Sequence, residues 1–156
     1  MDYGFLSVID EKKEFLDALA DAVWEVPELA FTEVRSAKLL TDALRKEGFT
    51  VREGLAGIAT AFSGTYGEGR PVIGFLGEFD ALSGLGQEAG VTEKRPDGNT
   101  CGHGCGHNLL GVGSLAAALA AKRFLEEKKC PGTVVYFGCP GEEGGSGKAF
   151  MARDGV

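Results

Sequence analysis

Residues 71–76 have the sequence PVIGFL, and GEFDAL follows directly at residues 77–82. The PVIGFL segment is a continuous apolar run, which is typical of a central strand buried on both faces of a parallel sheet. The GEFDAL segment places the acidic side chains of Glu78 and Asp80 at the carboxyl end of that strand. Ligands of open α/β sheets bind beyond the carboxyl ends of the strands. This stretch therefore predicts both the fold class and the edge of the sheet where a site lies.

Helical and strand patterns surround this strand. A capping box at Ser7 and an apolar period of about 3.6 predict a helix over residues 7–25, and Thr32 is expected to cap a second helix that ends near Gly48. Strands are expected at 50–53, 58–63 and 133–137, a turn at 65–69, and helices at 109–129, with Asn108 as cap, and at 148–153. The order of elements predicts an α/β fold, a three-layer sandwich with a largely parallel sheet.

Composition and charge argue against several kinds of partner. The formal net charge is −7, and no run of lysine and arginine exceeds two residues, so a nucleic-acid partner is not expected. The longest apolar tract, 109–121, is well short of the roughly 20 residues that cross a bilayer. The first residues lack the basic region of a secretory signal, so we expect a cytoplasmic protein without membrane contact. Its four cysteines are then thiols or metal ligands.

The stretch HGCGHN at residues 103–108 carries two strong metal-ligand types. Thiolate and neutral imidazole suit zinc, and Cys105 and His107, two residues apart, face the same way in an extended segment. The glycines between them permit tight turns that bring both side chains to one ion. The alternative is a glycine-rich loop that contains His and Cys without binding metal.

The adjacent glutamates Glu142 and Glu143 follow the strand predicted at 133–137, within the glycine-rich stretch GCPGEEGGSGK at 138–148. Two ionised carboxylates at the end of a core strand repel each other, and a divalent cation would offset that cost. One could then be a ligand while the other is a general base. The alternative is a solvated acidic turn. We expect this stretch, HGCGHN and the acidic end of the 71–76 strand to converge.

Two nucleotide-binding motifs fit poorly. Gly147-Lys148 before a helix resembles a P-loop, but Glu142 replaces the first glycine and Ala149 follows the lysine. The sequence GLGQEA at 84–89 matches a dinucleotide pattern, but glycine and proline follow it where that pattern needs a helix.

The cysteines allow three other interpretations. Cys105 could instead be a nucleophile beside a histidine. A structural zinc knot built from Cys101, His103, Cys105 and His107 has poor geometry, because such sites draw on two separated pairs. Cys130 and Cys139 are interpreted as small buried apolar residues.

The chain resembles the amidohydrolase branch of the di-metal aminoacylase and glutamate-carboxypeptidase superfamily. The stretches that carry the resemblance are GEFDAL at 77–82, HGCGHNLL at 103–110 and CPGEEGGSGK at 139–148. The resemblance implies that Cys105, His107 and Glu143 are metal ligands and that Glu142 is the general base. Asp80 matches an acidic residue that supports the site. Glu78 falls where another branch has a ligand histidine, and His103 and Cys101 have no assigned role.

The resemblance also implies a function. The expected activity is metal-dependent hydrolysis of amide bonds in N-acyl amino acids, such as aminobenzoyl-glutamate, or in dipeptides, with two zinc or manganese ions, a metal-bound water and a glutamate base. The expected assembly is a homodimer or hetero-oligomer. The family has two further site histidines and a lid domain that have no counterpart in residues 1–156, so we expect the amino-terminal portion of a zinc-exopeptidase-like catalytic domain. The alternative is an inactive metal-binding fragment or partner subunit.

Overall fold

A computed structural model of the protein describes residues 3–156. The helices are α1 (Ser7–Glu11), α2 (Lys13–Trp24), α3 (Val34–Lys46), α4 (His107–Lys128), the single turn α5 (Glu142–Gly145) and α6 (Gly147–Arg153), with 3₁₀ turns at Gly4–Leu6 and Leu55–Gly57. The strands are β1 (Thr50–Glu53), β2 (Phe62–Glu68), β3 (Val72–Glu78), β4 (Leu82–Ser83), β5 (Cys101–Gly102) and β6 (Gly132–Cys139).

Four of the strands form one mixed sheet in the order β1-β2-β6-β3. β3 and β6 are parallel, whereas β1 with β2 and β2 with β6 are antiparallel. The α/β class is confirmed, but the sheet is mixed rather than largely parallel. The prediction that residues 71–76 form a central strand is wrong for the described chain, because β3 pairs only with β6. Its side chains Val72, Ile73 and Leu76 are accordingly 60, 49 and 51% exposed.

The main core lies between one face of the sheet and helices α2, α3 and α4. Side chains alternate along β6, so that Val134 and Tyr136 enter this core while Phe137 and Cys139 face the other side. There Cys139 packs near Met151 of α6 and Leu55. Helices therefore cover one face broadly and the other face at one end, which gives the three expected layers.

Several element boundaries differ from the sequence prediction. The helix expected over 7–25 is interrupted at Lys12, and α3 begins after Glu33 because the Thr32 hydroxyl donates to the Leu29 carbonyl instead. β2 runs through the turn expected at 65–69, since its partner β6 continues beside it. The long connection after β3 is closed by a small hairpin of β4 and β5.

Close packing between α4 and β3 fixes the position of the first turn of the helix. α4 begins one residue before the predicted cap, with Gly106 at φ 75° ahead of it. A Cβ at Gly111 would lie 2.7 Å from the Glu78 carbonyl oxygen, so only glycine permits this approach. The Tyr136 hydroxyl donates to the Gly111 carbonyl at 3.1 Å.

Within residues 3–156, no helix has the length and apolar character needed to cross a bilayer.

Candidate metal centre

The three stretches singled out in the sequence meet at one edge of the sheet. β3 and β6 run in parallel, and Glu78 at the end of β3 is paired in register with Cys139 at the end of β6. The chain leaves β6 toward Glu142, and the start of α4 lies against the end of β3. The parallel pairing of β3 and β6 is therefore what places acidic residues from both strand ends beside His107.

His107 is at the centre of this arrangement. The side chain is 3% exposed, and its Nε2 atom lies 3.2 Å from Glu78 Oε2, 3.7 Å from Glu142 Oε2 and 4.0 Å from Glu143 Oε1. Three carboxylates therefore face one imidazole nitrogen. A cluster of this kind is costly without a cation, because like charges at short range repel each other.

Asp80 supports two of the predicted ligands at once. This side chain is 1% exposed. Its Oδ1 atom lies 3.0 Å from His107 Nδ1, and its Oδ2 atom accepts the backbone N–H of Glu143 at 2.8 Å. One carboxylate thus orients the imidazole and fixes the backbone of the glutamate turn, which we define as residues 141–145.

Cys105, His107 and Glu143 form a group in which one ligand atom of each lies within 4.8 Å of the others. Cys105 is exposed, and hydrogen bonding to the Glu143 carboxylate, followed by desolvation, raises the pKa of its thiol. The Glu143 Oε1 atom is buried without a hydrogen-bond partner. A buried carboxylate oxygen normally has a partner, so this atom has capacity for a ligand.

Glu78, His107 and Glu142 form a second group that satisfies the same distance limit and shares His107 with the first. Glu78 is more enclosed than the neighbouring Glu142, with 16% of its side chain exposed against 41%. The other Glu78 oxygen forms an ion pair with Lys148 of α6. In the sequence Lys148 belongs to the poorly fitting P-loop pattern and to the stretch CPGEEGGSGK, and neither indicated this pairing.

His103 and Cys101 lie outside both groups. His103 Nε2 is 3.1 Å from the Val23 carbonyl, its ring lies beside Trp24, and burial lowers the pKa of the imidazole. The Cys101 thiol donates to the Pro27 carbonyl at 3.0 Å. His103 thus ties the glycine-rich stretch to the end of α2, and Cys101 ties the chain just before it to Pro27, beyond that helix. Cys139 is buried as expected and Cys130 is half-buried.

Glu33 is a site feature that sequence reasoning missed. It is completely buried, and its carboxylate accepts the Gly141 N–H at 2.7 Å and the Thr60 hydroxyl at 2.9 Å. Burial raises the pKa of this carboxyl group. The sequence does not indicate that Glu33 is buried, because a glutamate just before a helix is ordinarily solvated.

The sequence prediction also missed Phe31, which lies two residues before Glu33. Its backbone is left-handed, with φ 63°, which is uncommon for a residue other than glycine. Its ring lies so close to the glutamate turn that a Cβ at Gly141 would be 2.7 Å from it and one at Gly145 would be 2.6 Å from it. The glycines near Glu142 therefore make room for an aromatic ring.

Comparison with known proteins gives a consistent result. The model of the peptidase family M20/M25/M40 matches residues 74–156. The chain is 49% identical to a subunit of the p-aminobenzoyl-glutamate hydrolase of Escherichia coli, over 99% of the chain and 32% of that protein. It is 34% identical to the Xaa-Arg dipeptidase of Homo sapiens, over 95% of the chain and 34% of that protein. The chain thus spans about a third of the length of these relatives.

Solved structures show the same fold. A dinuclear metal-binding peptidase of the M20 family from Bacillus subtilis superposes with a TM-score of 0.71 at 22% identity, covering 100% of the chain and 41% of that protein. An aminobenzoyl-glutamate utilization protein from Klebsiella pneumoniae gives a TM-score of 0.69 at 17% identity, covering 97% of the chain and 43% of that protein.

Proposed function

Because this chain belongs to the peptidase family M20/M25/M40, we propose that it supplies the metal-binding half of an amidohydrolase active site. The observation that carries the proposal is the meeting of Cys105, His107 and Glu143, whose ligand atoms lie within 4.8 Å of one another. Thiolate, imidazole and carboxylate are all zinc ligands, and they come here from two separate stretches of chain.

The donor set fits a divalent cation. A cation at the first group would give the buried Glu143 Oε1 atom its missing partner and would favour the Cys105 thiolate. Cys105, His107 and Glu143 are the proposed ligands. We also propose the two zinc or manganese ions that the family resemblance implies. The second group, Glu78, His107 and Glu142, shares the one free lone pair of His107 with the first group, so it does not by itself supply a separate cation site.

The proposed reaction is hydrolysis of an amide bond. When bound, the cations lower the pKa of a coordinated water and polarise the carbonyl oxygen of the substrate. Glu142 is the proposed general base, because its carboxylate lies 3.7 Å from His107 Nε2 and is 41% exposed, so it borders the ligands and can meet water and substrate. It takes a proton from the attacking water, the water oxygen adds to the carbonyl carbon, and the C–N bond breaks. Glu142 then returns the proton to the leaving amine.

Asp80 has a positioning role in this scheme. Its carboxylate and its backbone carbonyl both lie near His107 Nδ1, at 3.0 and 3.1 Å. A carbonyl can only accept, so Nδ1 carries the proton and Nε2 keeps its lone pair for a cation. The bond from the Glu143 backbone N–H ties the second ligand to the same carboxylate.

The proposed substrates are N-acyl amino acids of the aminobenzoyl-glutamate kind, or dipeptides. Support comes from relatives named p-aminobenzoyl-glutamate hydrolase, Xaa-Arg dipeptidase and, in Campylobacter jejuni at 28% identity, hippurate hydrolase. All three names describe a small amide with an amino-acid component. We propose a cytoplasmic enzyme that assembles as a homodimer or hetero-oligomer.

We also propose that residues 1–156 are the amino-terminal portion of the catalytic domain, and that polypeptide outside them supplies the lid and further strands. The exposed apolar edge strand β3 supports this, since such an edge is normally paired or covered. The chain also spans only about a third of its relatives.

Metal content tests the centre directly. Zinc or manganese per chain is measured by mass spectrometry on the wild type, on Cys105→Ala and on Glu143→Ala, with Cys130→Ala as a cysteine control outside both groups. We expect stoichiometric metal in wild type and control and a loss in the two ligand variants. A folded wild type that binds no metal, both as residues 1–156 and in a version as long as the relatives, contradicts the proposal. A version as long as the relatives is then assayed with aminobenzoyl-glutamate, hippurate and dipeptides, and stoichiometric metal without turnover supports the alternative of an inactive metal-binding protein.

A further inference from the structure

A single loop touches all three stretches of the candidate metal centre. This is the α2–α3 loop, defined here as residues 25–33. Its Pro27 carbonyl accepts a hydrogen bond from the Cys101 thiol at 3.0 Å, and its Glu28 carbonyl accepts one from the Ala81 N–H at 2.8 Å. At its end the Glu33 carboxylate accepts the Gly141 N–H at 2.7 Å. The loop therefore contacts the chain beside Asp80, the chain before Cys105 and the glutamate turn.

Glu33 is an unusual residue for its surroundings. It is completely buried, and desolvation raises the pKa of its carboxyl group although hydrogen bonds from three backbone N–H groups and from the Thr60 hydroxyl favour the charged form. Burying a carboxylate is unfavourable compared with an apolar side chain of similar size. The hydrogen bonds that it accepts offset this cost, and the bond from the Gly141 N–H is the one that reaches the metal centre.

The Gly141 peptide determines where the two glutamates lie. Gly141 has φ 63°, a left-handed conformation, and it directly precedes Glu142. Its N–H is held by Glu33, its carbonyl accepts the Gly147 N–H at 3.3 Å, and the Phe31 ring covers its Cα. Two residues later the Glu143 N–H is held by Asp80. Two buried carboxylates thus hold the turn, one at its first residue and one at its middle residue.

We infer that Glu33 is a positioning residue of the metal centre, which acts through the Gly141 backbone to set the placement of Glu142 and Glu143. This inference depends on the proposed metal centre. Thr60 completes the arrangement, because its hydroxyl donates to one Glu33 oxygen while the Gly141 N–H donates to the other. Glu33 itself belongs to neither group of candidate metal ligands.

The test compares zinc affinity in three variants and the wild type, measured by competition with a chromophoric chelator. Glu33→Ala removes the acceptor, and we expect zinc affinity to fall at least tenfold. Glu33→Gln retains one carbonyl oxygen for Gly141 and offers its amide group to the Thr60 oxygen, so we expect affinity within threefold of wild type. Glu28→Ala is the matched control, because that carboxylate in the same loop bonds the backbone of Arg35 and Ser36 rather than the turn.

Amide hydrogen exchange at Glu143 in metal-free protein gives a second readout, which reports the turn without zinc. We expect faster exchange in Glu33→Ala but not in Glu28→Ala. Wild-type zinc affinity in Glu33→Ala, or an equal loss in Glu28→Ala, overturns the inference and leaves the metal centre standing. A wild type that binds no zinc overturns the metal centre instead, and exchange at Glu143 then decides whether Glu33 holds the turn.

Discussion

The Nδ1 atom of His107 lies 3.0 Å from Oδ1 of Asp80, and both side chains are almost completely buried. This contact assigns the proton to Nδ1, because the Asp80 carbonyl at 3.1 Å is also an acceptor. The opposite nitrogen is thereby presented to Glu78, Glu142 and Glu143. Metal-binding histidines typically donate the N–H of the other ring nitrogen to a carboxylate or a backbone carbonyl, as His107 does here.

Removing the Asp80 carboxylate should weaken metal binding although Asp80 touches no cation. In Asp80→Ala the imidazole and the Glu143 backbone both lose an acceptor, so we expect zinc affinity to fall about 10- to 100-fold. Chelator competition measures it, with the exposed Asp97→Ala as control. Unchanged affinity in folded Asp80→Ala would show that the helix alone orients His107.

Substitutions of the two adjacent glutamates should affect turnover and zinc content differently. Glu142→Gln removes the proposed base, and we expect turnover in a version as long as the relatives to fall about 100- to 10,000-fold with zinc content retained. Glu143→Gln should lower zinc content as well. Steady-state kinetics and metal analysis on the same samples separate the two roles. A loss of only a few fold in Glu142→Gln contradicts its role as base.

Some features of the fold and of the candidate site could be predicted from the sequence, and others could not. The meeting of Cys105, His107 and the glutamate pair was predictable, because ligand types at strand ends and helix starts are local features. The edge position of β3 was not, since an apolar run looks the same whether one neighbouring strand or two cover it. Glu33 was not predictable either, because its burial depends on Thr60 and Gly141, far away in the chain.

Two glycines in α4 should respond to alanine with opposite signs. A Cβ at Gly113 meets nothing within 4 Å, so Gly113→Ala gains helix propensity and should stabilise the fold by about 0.5–1 kcal/mol. At Gly111 a Cβ would lie 2.7 Å from the Glu78 carbonyl oxygen, so Gly111→Ala should destabilise it by about 1–3 kcal/mol. Urea unfolding measures both. A stabilising Gly111→Ala would contradict the close approach of α4 and β3.

Lys148 should compete with metal for Glu78. Its ammonium group pairs with one Glu78 oxygen, while the other lies 3.2 Å from His107 Nε2. Lys148→Met removes that positive charge from an acidic cluster, so zinc affinity should rise a few fold, more at low than at high ionic strength. Lys38→Met, at an exposed ion pair on α3, is the matched control. A fall in affinity would mean that Lys148 orients Glu78 for binding.

The buried carboxyl group of Glu33 should make the free energy of unfolding fall as pH rises. Burial raises its pKa above the ordinary value of 4.5, so over the interval above 4.5 the folded protein holds a proton that the unfolded chain has lost. Stability therefore falls as pH rises through that interval. Its hydrogen-bond partners are the Thr60 hydroxyl and the backbone N–H groups of Gly141, Phe31 and Glu33, none of which titrates. Glu33→Gln cannot lose a proton, so it should gain stability relative to wild type as pH rises and then level off.

Urea unfolding of both proteins at a series of pH values measures this difference. Asp42→Asn provides a control of opposite sign, because a hydrogen bond from Lys38 lowers the Asp42 pKa below 3.8. Wild type should therefore become more stable relative to Asp42→Asn as pH rises. If the stability curves of wild type and Glu33→Gln run parallel, the buried carboxyl does not retain its proton. Glu33 would then hold the glutamate turn as a full anion, whose hydrogen bond to Gly141 is charge-assisted at every pH tested.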